Sequence, residues 1–155
     1  VLKEDVQEYF DMPDGQESPY MLLVAPVNKN KRLSIENKNE NIKGLEKLKT
    51  KRSSIPAVTH VDYSARVQTV DAVRNPKLHS LMSRFKEISS CSVIINTSFN
   101  IRGEPIVCTP QDAYRCFMAT NMDVLVMEDV LLYKEQQSQA KKIEIEDYKA
   151  QFKLD

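Results

Sequence analysis

The apolar residues of this chain are grouped into short runs, and this grouping limits the possible fold more than any other feature. The runs have the length of β-strands: Tyr20–Val27, Ile55–Val61, Ser92–Asn96, Asp123–Met127 and Val130–Tyr133. No run approaches the roughly 20 residues that cross a bilayer. We therefore predict short buried strands, with the last two runs pairing as a hairpin, and we expect no membrane association.

Helical patterns lie between these runs. Leu2–Phe10 places its apolar residues on one face, and the segment after Pro76 repeats apolar residues at a spacing of three and four (Leu78, Leu81, Met82, Phe85, Ile88). We expect this second stripe to be part of the core. Thr109 is a typical N-cap, followed by a proline and by Asp112, which predicts a helix to about Thr120. The sequence therefore predicts both helices and strands.

Composition bounds the class of protein. A chain of 155 residues with 41% apolar residues is the size of one globular unit. The 22 basic residues balance 22 acidic ones, so no net field favours nucleic acid. The three cysteines show no C-x-x-C spacing, which excludes a zinc-ribbon pattern and favours a reducing cytoplasm.

Two segments are poor in apolar residues. Residues 28–54 have the composition of a solvated insertion, with only a hint of helix at Ile42, Leu45 and Leu48. Residues 134–155 are predicted to be a charged helical or frayed tail. The chain begins with Val1 rather than Met, so we expect an excised part of a longer polypeptide.

The segment Asn96–Pro105 is the strongest candidate for chemistry, because it is a polar loop that directly follows a predicted strand. Three glycines cannot build a glycine-rich phosphate loop, so a nucleotide would be held by side chains. Asn96, Thr97, Ser98, Asn100 and Arg102 offer amides, hydroxyls and a guanidinium, and Gly103 would allow close approach of a ligand. The alternative is a tight turn whose side chains bond their own backbone. Both interpretations are open at this stage.

A second polar cluster, Thr59–Arg66, would lie at another strand end, with Asp62-Tyr63-Ser64 as a turn between two strands. Arg66 would fork onto a phosphate. His60 and Asp62 would share a face of a strand, so a metal-ligand or acid–base role is a weaker alternative.

Four motifs, in this order, resemble the NodU/CmcH carbamoyltransferases: Ser18-Pro19-Tyr20-Met21, Pro56–Asp62, Ala65–Val70 and Asn96–Val107. The resemblance covers roughly residues 1–133. It implies a YrdC-like domain of the α/β class, a twisted mixed sheet with flanking helices. By the same resemblance, this domain follows an actin-like amino-terminal domain that contains a metal such as iron. We expect that domain to lie outside this chain and to be its docking partner.

The resemblance also implies an activity. The YrdC-like domain would use carbamoyl phosphate, ATP and Mg²⁺ to form carbamoyl adenylate, and the other domain would pass the carbamoyl group to an acceptor hydroxyl. The isolated domain would be inactive or partial. YrdC-type domains carry a T-S-x-N-x-x-G segment, which Thr97–Gly103 matches.

By this resemblance, the catalytic residues are Arg66, Ser98, Asn100 and Arg102. Those that bind ATP or the other substrate are His60, Ser64, Asn96, Thr97 and Gly103, and no metal ligand is assigned in this chain. One departure is Tyr63, where the family usually has glycine; either the turn differs, or Tyr63 stacks on a ligand. The alternatives are a nucleotide- or RNA-binding module and a non-catalytic docking domain, and a homodimer also remains open.

Overall fold

The computed structural model describes residues 1–34, 50–137 and 150. The chain forms two compact units, Val1–Ile95 and Asn96–Asp155, where the sequence predicted one. Helices and antiparallel strand pairs occur in the described part, so the predicted α/β class is confirmed.

The first unit opens with a short helical segment. A 3₁₀ turn, Lys3–Asp5, continues into α1, Val6–Tyr9. The face predicted to be apolar is buried: Leu2, Val6, Tyr9 and Phe10 are each at most 4% exposed. Burial of this face fixes the segment against the sheet of the same unit, because four residues are too few for a helix that is stable alone.

Two short strands form the sheet of the first unit. Strand β1, Leu23–Pro26, pairs antiparallel with β2, Ser64–Val67, in the register Leu23↔Val67 to Pro26↔Ser64. Strand β1 is shorter than the predicted run Tyr20–Val27. Tyr20 and Leu22 lie outside β1 and are exposed because the chain turns at Met21, whose φ is +58°. Beyond β2, Val70 makes a single parallel bridge with Leu2.

The predicted strand Ile55–Val61 is wrong. Pro56–Val58 forms a 3₁₀ turn instead. Proline cannot donate to a ladder, and local side chains take the backbone groups that a strand would use. The Ser53 hydroxyl accepts from Ile55 N, and the Thr59 hydroxyl donates to Ile55 O.

Helix α2, Pro76–Ser89, begins with proline at its first position as predicted. The prediction that its apolar stripe is core is wrong in this unit. Met82 is fully buried, but the other four members of the stripe are exposed (Leu78 38%, Leu81 59%, Phe85 39%, Ile88 74%). Polar contacts with the N-terminal segment also hold the helix: His79 Nε2 lies 2.8 Å from Glu4 Oε1, and Lys86 Nζ lies 2.8 Å from Asp5 Oδ1.

The predicted strand Ser92–Asn96 is also wrong, since the described chain there forms no ladder. Ser92 is fully buried, and its backbone groups are paired outside any sheet. Its backbone N donates to Tyr9 Oη and its backbone O accepts from Leu2 N, both at 3.3 Å. These contacts with α1 and its flank replace strand pairing. Ile95 is 60% exposed, so the apolar run is buried only at its beginning.

In the second unit, helix α3, Pro110–Met118, packs on a hairpin. Thr109 and Asp112 form the predicted capping box: Asp112 N donates to Thr109 Oγ1, and Thr109 N donates to Asp112 Oδ2. Strands β3, Val124–Met127, and β4, Val130–Tyr133, pair antiparallel as predicted. Their core is Ala113, Phe117 and Leu125.

Lys134 closes the carboxyl end of α3. Its ammonium donates to Phe117 O and Thr120 O and lies 4.2 Å from the centre of the Phe117 ring. Burial lowers the pKa of Lys134. Carbonyls in the last turn of a helix have no partner within the helix, so a cation at this place stabilises α3.

The two low-apolar segments are described only at their ends. Lys29–Lys31 is a 3₁₀ turn, Arg32 bridges Ser53, and both Arg52 and Ser53 are buried, so the ends of the predicted insertion are part of the first unit. The helical hint at Ile42, Leu45 and Leu48 and most of the predicted tail lie outside the described residues. In the described part, no helix is long and apolar enough to cross a membrane.

Candidate functional site

The turn His60–Ser64 enters strand β2 and is closed by its own polar groups. His60 N donates to Ser64 O at 2.7 Å, and Tyr63 N donates to His60 O at 3.1 Å. The Asp62 carboxylate accepts from both Ser64 N, at 3.0 Å, and Ser64 Oγ, at 2.7 Å. Asp62-Tyr63 is therefore a turn, as the sequence predicted, but Ser64 already belongs to the strand.

The hydrogen bonds of this turn assign the histidine tautomer. A serine hydroxyl carries one hydrogen, and Ser64 gives it to Asp62. His60 Nδ1, 2.8 Å from Ser64 Oγ, must then be the donor, which leaves Nε2 pointing away from this chain of contacts. The hydrogen bonds from the Ser64 hydroxyl and backbone also lower the pKa of Asp62. The turn thus holds a carboxylate that stays ionised.

Arg66 lies on the same face of β2 as Ser64, because side chains alternate along a strand. Ala65 and Val67 point into the core, whereas Arg66 is exposed. Among the described residues, its guanidinium has no hydrogen bond or ion pair. Arg66 is therefore free to bind an anion.

Tyr63 adopts the backbone conformation that glycine adopts most readily. Its φ is +65°, in the left-handed region, where a side chain is strained. Tyr63 thus adopts a turn conformation for which glycine is the usual residue. The ring has a protein partner: the Arg32 guanidinium lies 5.1 Å from its centre.

The loop Asn96–Pro105 contains a turn braced by two side chains. Asn100 Nδ2 donates to Ile101 O at 3.0 Å and to Glu104 O at 2.9 Å. The Glu104 carboxylate accepts from Ile101 N at 3.0 Å. Gly103 has a φ of +87°, which suits its lack of a side chain. The amide nitrogen of Asn100 thus bonds its own loop, as the alternative of a turn that bonds its own backbone expects.

The same loop presents groups that the brace does not use. Thr97, Ser98 and Arg102 are exposed, and their side chains form no hydrogen bond, ion pair or ring contact with other described residues. Asn100 Oδ1 is buried and has no hydrogen-bond partner within the described part of the chain. Buried acceptors rarely remain unpaired in folded proteins. The loop therefore offers donors at its surface and one unused acceptor beneath them.

Residues on both sides of the turn anchor the loop to the second unit. Phe99 and Val107 pack against the core of α3 and the hairpin, and Val107 N donates to Phe99 O at 3.1 Å. Cys116 of α3 lies beneath the turn and is fully buried. Burial raises the pKa of its thiol to about 11, and the nearby Glu104 carboxylate adds to this shift. The thiol is thus a protonated support rather than a nucleophile.

A comparison with known protein families matches most of the chain. Residues 1–134 match the family described as carbamoyltransferase C-terminus. This chain belongs to that family. Among the relatives of this carbamoyltransferase C-terminal chain, an uncharacterized protein of Synechocystis is 49% identical over all of the chain, which spans 25% of that relative.

Two named relatives extend the comparison. The nodulation protein NolNO of Sinorhizobium fredii is 37% identical over 86% of the chain and is covered over 17% of its own length. The 3′-hydroxymethylcephem-O-carbamoyltransferase of Streptomyces clavuligerus is 44% identical over 41% of the chain and is covered over 12% of its length. The carbamoyltransferase C-terminal chain therefore spans a quarter or less of these relatives.

The structure brings the predicted site residues together in two groups, one in each unit. His60, Ser64 and Arg66 share the turn and β2; the group from Asn96 to Gly103 shares the loop. Sequence reasoning did not assign a role to Glu104 or Cys116. A signal for Glu104 was available, since an acid four residues after Asn100 can accept from the turn backbone. The helical spacing predicts Cys116 on the inward face of α3, and its burial confirms this, but no local pattern indicated that it lies beneath the loop.

Proposed function

We propose that this chain is the part of an ATP-dependent O-carbamoyltransferase that forms carbamoyl adenylate from carbamoyl phosphate and ATP. Membership of the carbamoyltransferase family supports the reaction class. The observation that carries the finer proposal is a loop that holds its shape through Asn100 and Glu104 and leaves Thr97, Ser98 and Arg102 available for a ligand.

The chemistry would proceed in two steps. Carbamoyl phosphate first reacts with water to give carbamate and inorganic phosphate. A carbamate oxygen then attacks the α-phosphorus of ATP, and the bond from that phosphorus to pyrophosphate breaks. Negative charge accumulates on the α-phosphate oxygens during the attack, so donors and cations placed around them would accelerate it.

Each residue has a role in this proposal. Arg66 and Arg102 would each offset charge on a phosphate group, and the Ser98 hydroxyl would donate to a carbamate or phosphate oxygen. The unused oxygen of Asn100 would accept from the N–H of carbamate. Thr97, Asn96 and the backbone at Gly103 bind the nucleotide, as do His60 and Ser64 from the turn.

Mg²⁺ would enter as a complex with the ATP phosphates. The described residues contain no group of three His, Cys, Asp or Glu side chains that could hold a metal ion alone. Mg²⁺ commonly keeps several water ligands and is bound through substrate phosphates with one or two carboxylates, which is compatible with this surface. When bound, it would neutralise charge on the phosphates. Transfer of the carbamoyl group to the hydroxyl of an acceptor substrate would take place in the rest of the proposed protein.

Pyrophosphate exchange tests the proposal. The full-length protein should move labelled pyrophosphate into ATP only when carbamoyl phosphate is present. Ser98→Ala and Arg102→Gln should each lower the rate about 100-fold, the usual cost of losing one preorganised donor. Arg84→Gln is the matched control, because Arg84 is exposed on α2 and is paired with Glu87.

Absence of carbamoyl-phosphate-dependent exchange in the wild-type protein, under conditions where it transfers carbamoyl groups, contradicts the proposal. Equal rates in Ser98→Ala and wild type contradict the role of the loop. Retention on RNA with a steep dependence on salt concentration would instead favour an RNA-binding module.

A further inference from the structure

Arg32 of the first unit lies outside the four motifs that carry the family resemblance. Arg32 Nε donates to Val27 O at 2.7 Å, and Val27 N donates to Tyr63 O at 2.7 Å. The Arg32 guanidinium stacks on the Tyr63 ring. Arg32, Val27 and Tyr63 thus form a closed set of contacts, in which Val27 is fully buried. The edge and the face of the guanidinium are both fixed.

The outer nitrogens of this guanidinium have no partner among the described residues. A planar fork fixed at Nε and by ring stacking loses little further freedom when it binds a planar or tetrahedral oxyanion. Arginines presented in this way suit phosphate groups, which accept two parallel hydrogen bonds.

A cleft of about 200 Å³ adjoins this arginine. Lys29 and Arg32 line it as cations, and Asp11 lines it as an anion. Pockets for drug-sized ligands are usually ~300–1,000 Å³, so this cleft suits a phosphate or pyrophosphate group rather than a whole nucleotide. Two cations against one carboxylate give the cleft a net attraction for such a group.

The strained backbone of Tyr63 also supports a ligand site beside Arg32. Glycine would relieve the strain at a φ of +65°, yet the chain keeps an aromatic residue whose ring contacts Arg32. Strained residues persist where the surroundings hold them and concentrate at ligand sites.

We propose that Arg32 is a phosphate-binding residue, held by the Tyr63 ring and Val27 O, and that the adjoining cleft takes a phosphate or pyrophosphate group. This inference deepens the proposed function and rests on it for the source of the phosphate, which is ATP or carbamoyl phosphate. Tyr63 is a positioning residue, since it acts through Arg32.

Isothermal titration of the full-length protein with inorganic phosphate and with pyrophosphate tests the inference. Arg32→Gln should weaken binding at least about tenfold, the usual effect of losing a charge-assisted contact. Asp11→Asn should tighten binding, because it removes the opposing carboxylate. Arg84→Gln controls for the loss of one positive charge and should bind as wild type does.

Two variants separate positioning by Tyr63 from a purely structural role. Tyr63→Phe keeps the ring and should bind as wild type does. Tyr63→Gly relieves the backbone strain and should keep the melting temperature while weakening binding several-fold. Unchanged affinity in Arg32→Gln, or no binding of either anion by wild type, overturns the inference. Loss of pyrophosphate exchange with anion binding intact would count against the proposed function alone.

Discussion

The side chain of Asn100 reaches across its loop to the backbone oxygen of Glu104, a distance of 2.9 Å. Glu104 returns the contact through its carboxylate, which accepts from the neighbouring Ile101 N. The turn is thus closed from both ends by its own side chains. A loop with this internal brace has its shape before a ligand arrives, which lowers the ordering cost of binding.

Asn100→Asp should break this brace. The amide nitrogen that faces two carbonyl oxygens would become a carboxylate oxygen, so two hydrogen bonds would be replaced by repulsion between acceptors. We expect the free energy of unfolding to fall by about 1–3 kcal/mol. Urea unfolding measures it, with Asn121→Asp, on an exposed turn, as the matched control. Equal stabilities of the two variants would show that the brace is unimportant.

Thr109→Val should weaken α3. The substitution keeps the shape of the side chain but removes the oxygen that accepts from Asp112 N. Loss of an N-cap of this kind lowers the free energy of unfolding by about 1 kcal/mol. Thr109→Ser retains the hydroxyl and should unfold as wild type does, and a loss as large as that of the valine variant would contradict the role of the cap.

The stabilisation by the Thr109–Asp112 cap should depend on pH in the acid range. The hydrogen bond from the Thr109 hydroxyl lowers the pKa of Asp112 from its usual 3.8. The ionised carboxylate therefore stabilises the fold above pH 3.8, and this stabilisation is lost as pH falls through the lower pKa of the folded state. The stability difference between wild type and Thr109→Val should shrink below that pH. A difference that stays constant into acid would argue against the assignment.

Replacing Glu128 with glycine should stabilise the folded protein. It is the first residue of the two-residue turn between β3 and β4 and has a φ of +51°. A side chain in this region is strained, so Glu128→Gly should raise the free energy of unfolding by about 1 kcal/mol. Asp129→Gly is the control, because Asp129 does not have a positive φ and gains nothing from glycine. Thermal unfolding of both variants tests this: the melting temperature should rise for Glu128→Gly and not for Asp129→Gly.

The three cysteines should differ in their reaction with iodoacetamide. Cys108 is exposed, Cys91 is partly buried and Cys116 is fully buried, with burial raising its thiol pKa to about 11. Thiolate is the reactive form. Mass spectrometry of the folded protein should find Cys108 modified first and Cys116 last. Early modification of Cys116 would mean that the support beneath the Asn96–Pro105 loop opens readily.

Features set by near neighbours could be predicted from the sequence. The N-cap at Thr109 needs only residues within one turn, and the β3–β4 hairpin needs only two adjacent runs. The turn at Asp62-Tyr63 followed for the same reason. The position of the motif residues on a turn and a loop was likewise local, and the structure has them there.

Features that depend on distant partners could not be predicted. Ile55–Val61 and Ser92–Asn96 have strand-like composition, but a strand also needs a ladder partner, and side chains or α1 take those backbone groups instead. The periodicity of α2 identified an apolar face but not what covers it. The stacking of Arg32 on Tyr63 joins residues far apart in the chain, so no local pattern indicated it.

The exposed stripe of α2 has a consequence for how that helix responds to ionic strength. Met82 is its one fully buried stripe residue, so the contacts His79–Glu4 and Lys86–Asp5 provide much of its attachment. Screening by salt weakens such partly exposed ionic contacts, whereas it leaves the buried apolar cluster around Val27 unaffected. The amide hydrogens of α2 should therefore exchange with solvent faster as salt is added, through local opening. Salt concentration would then act as a selective control on one helix of the unit.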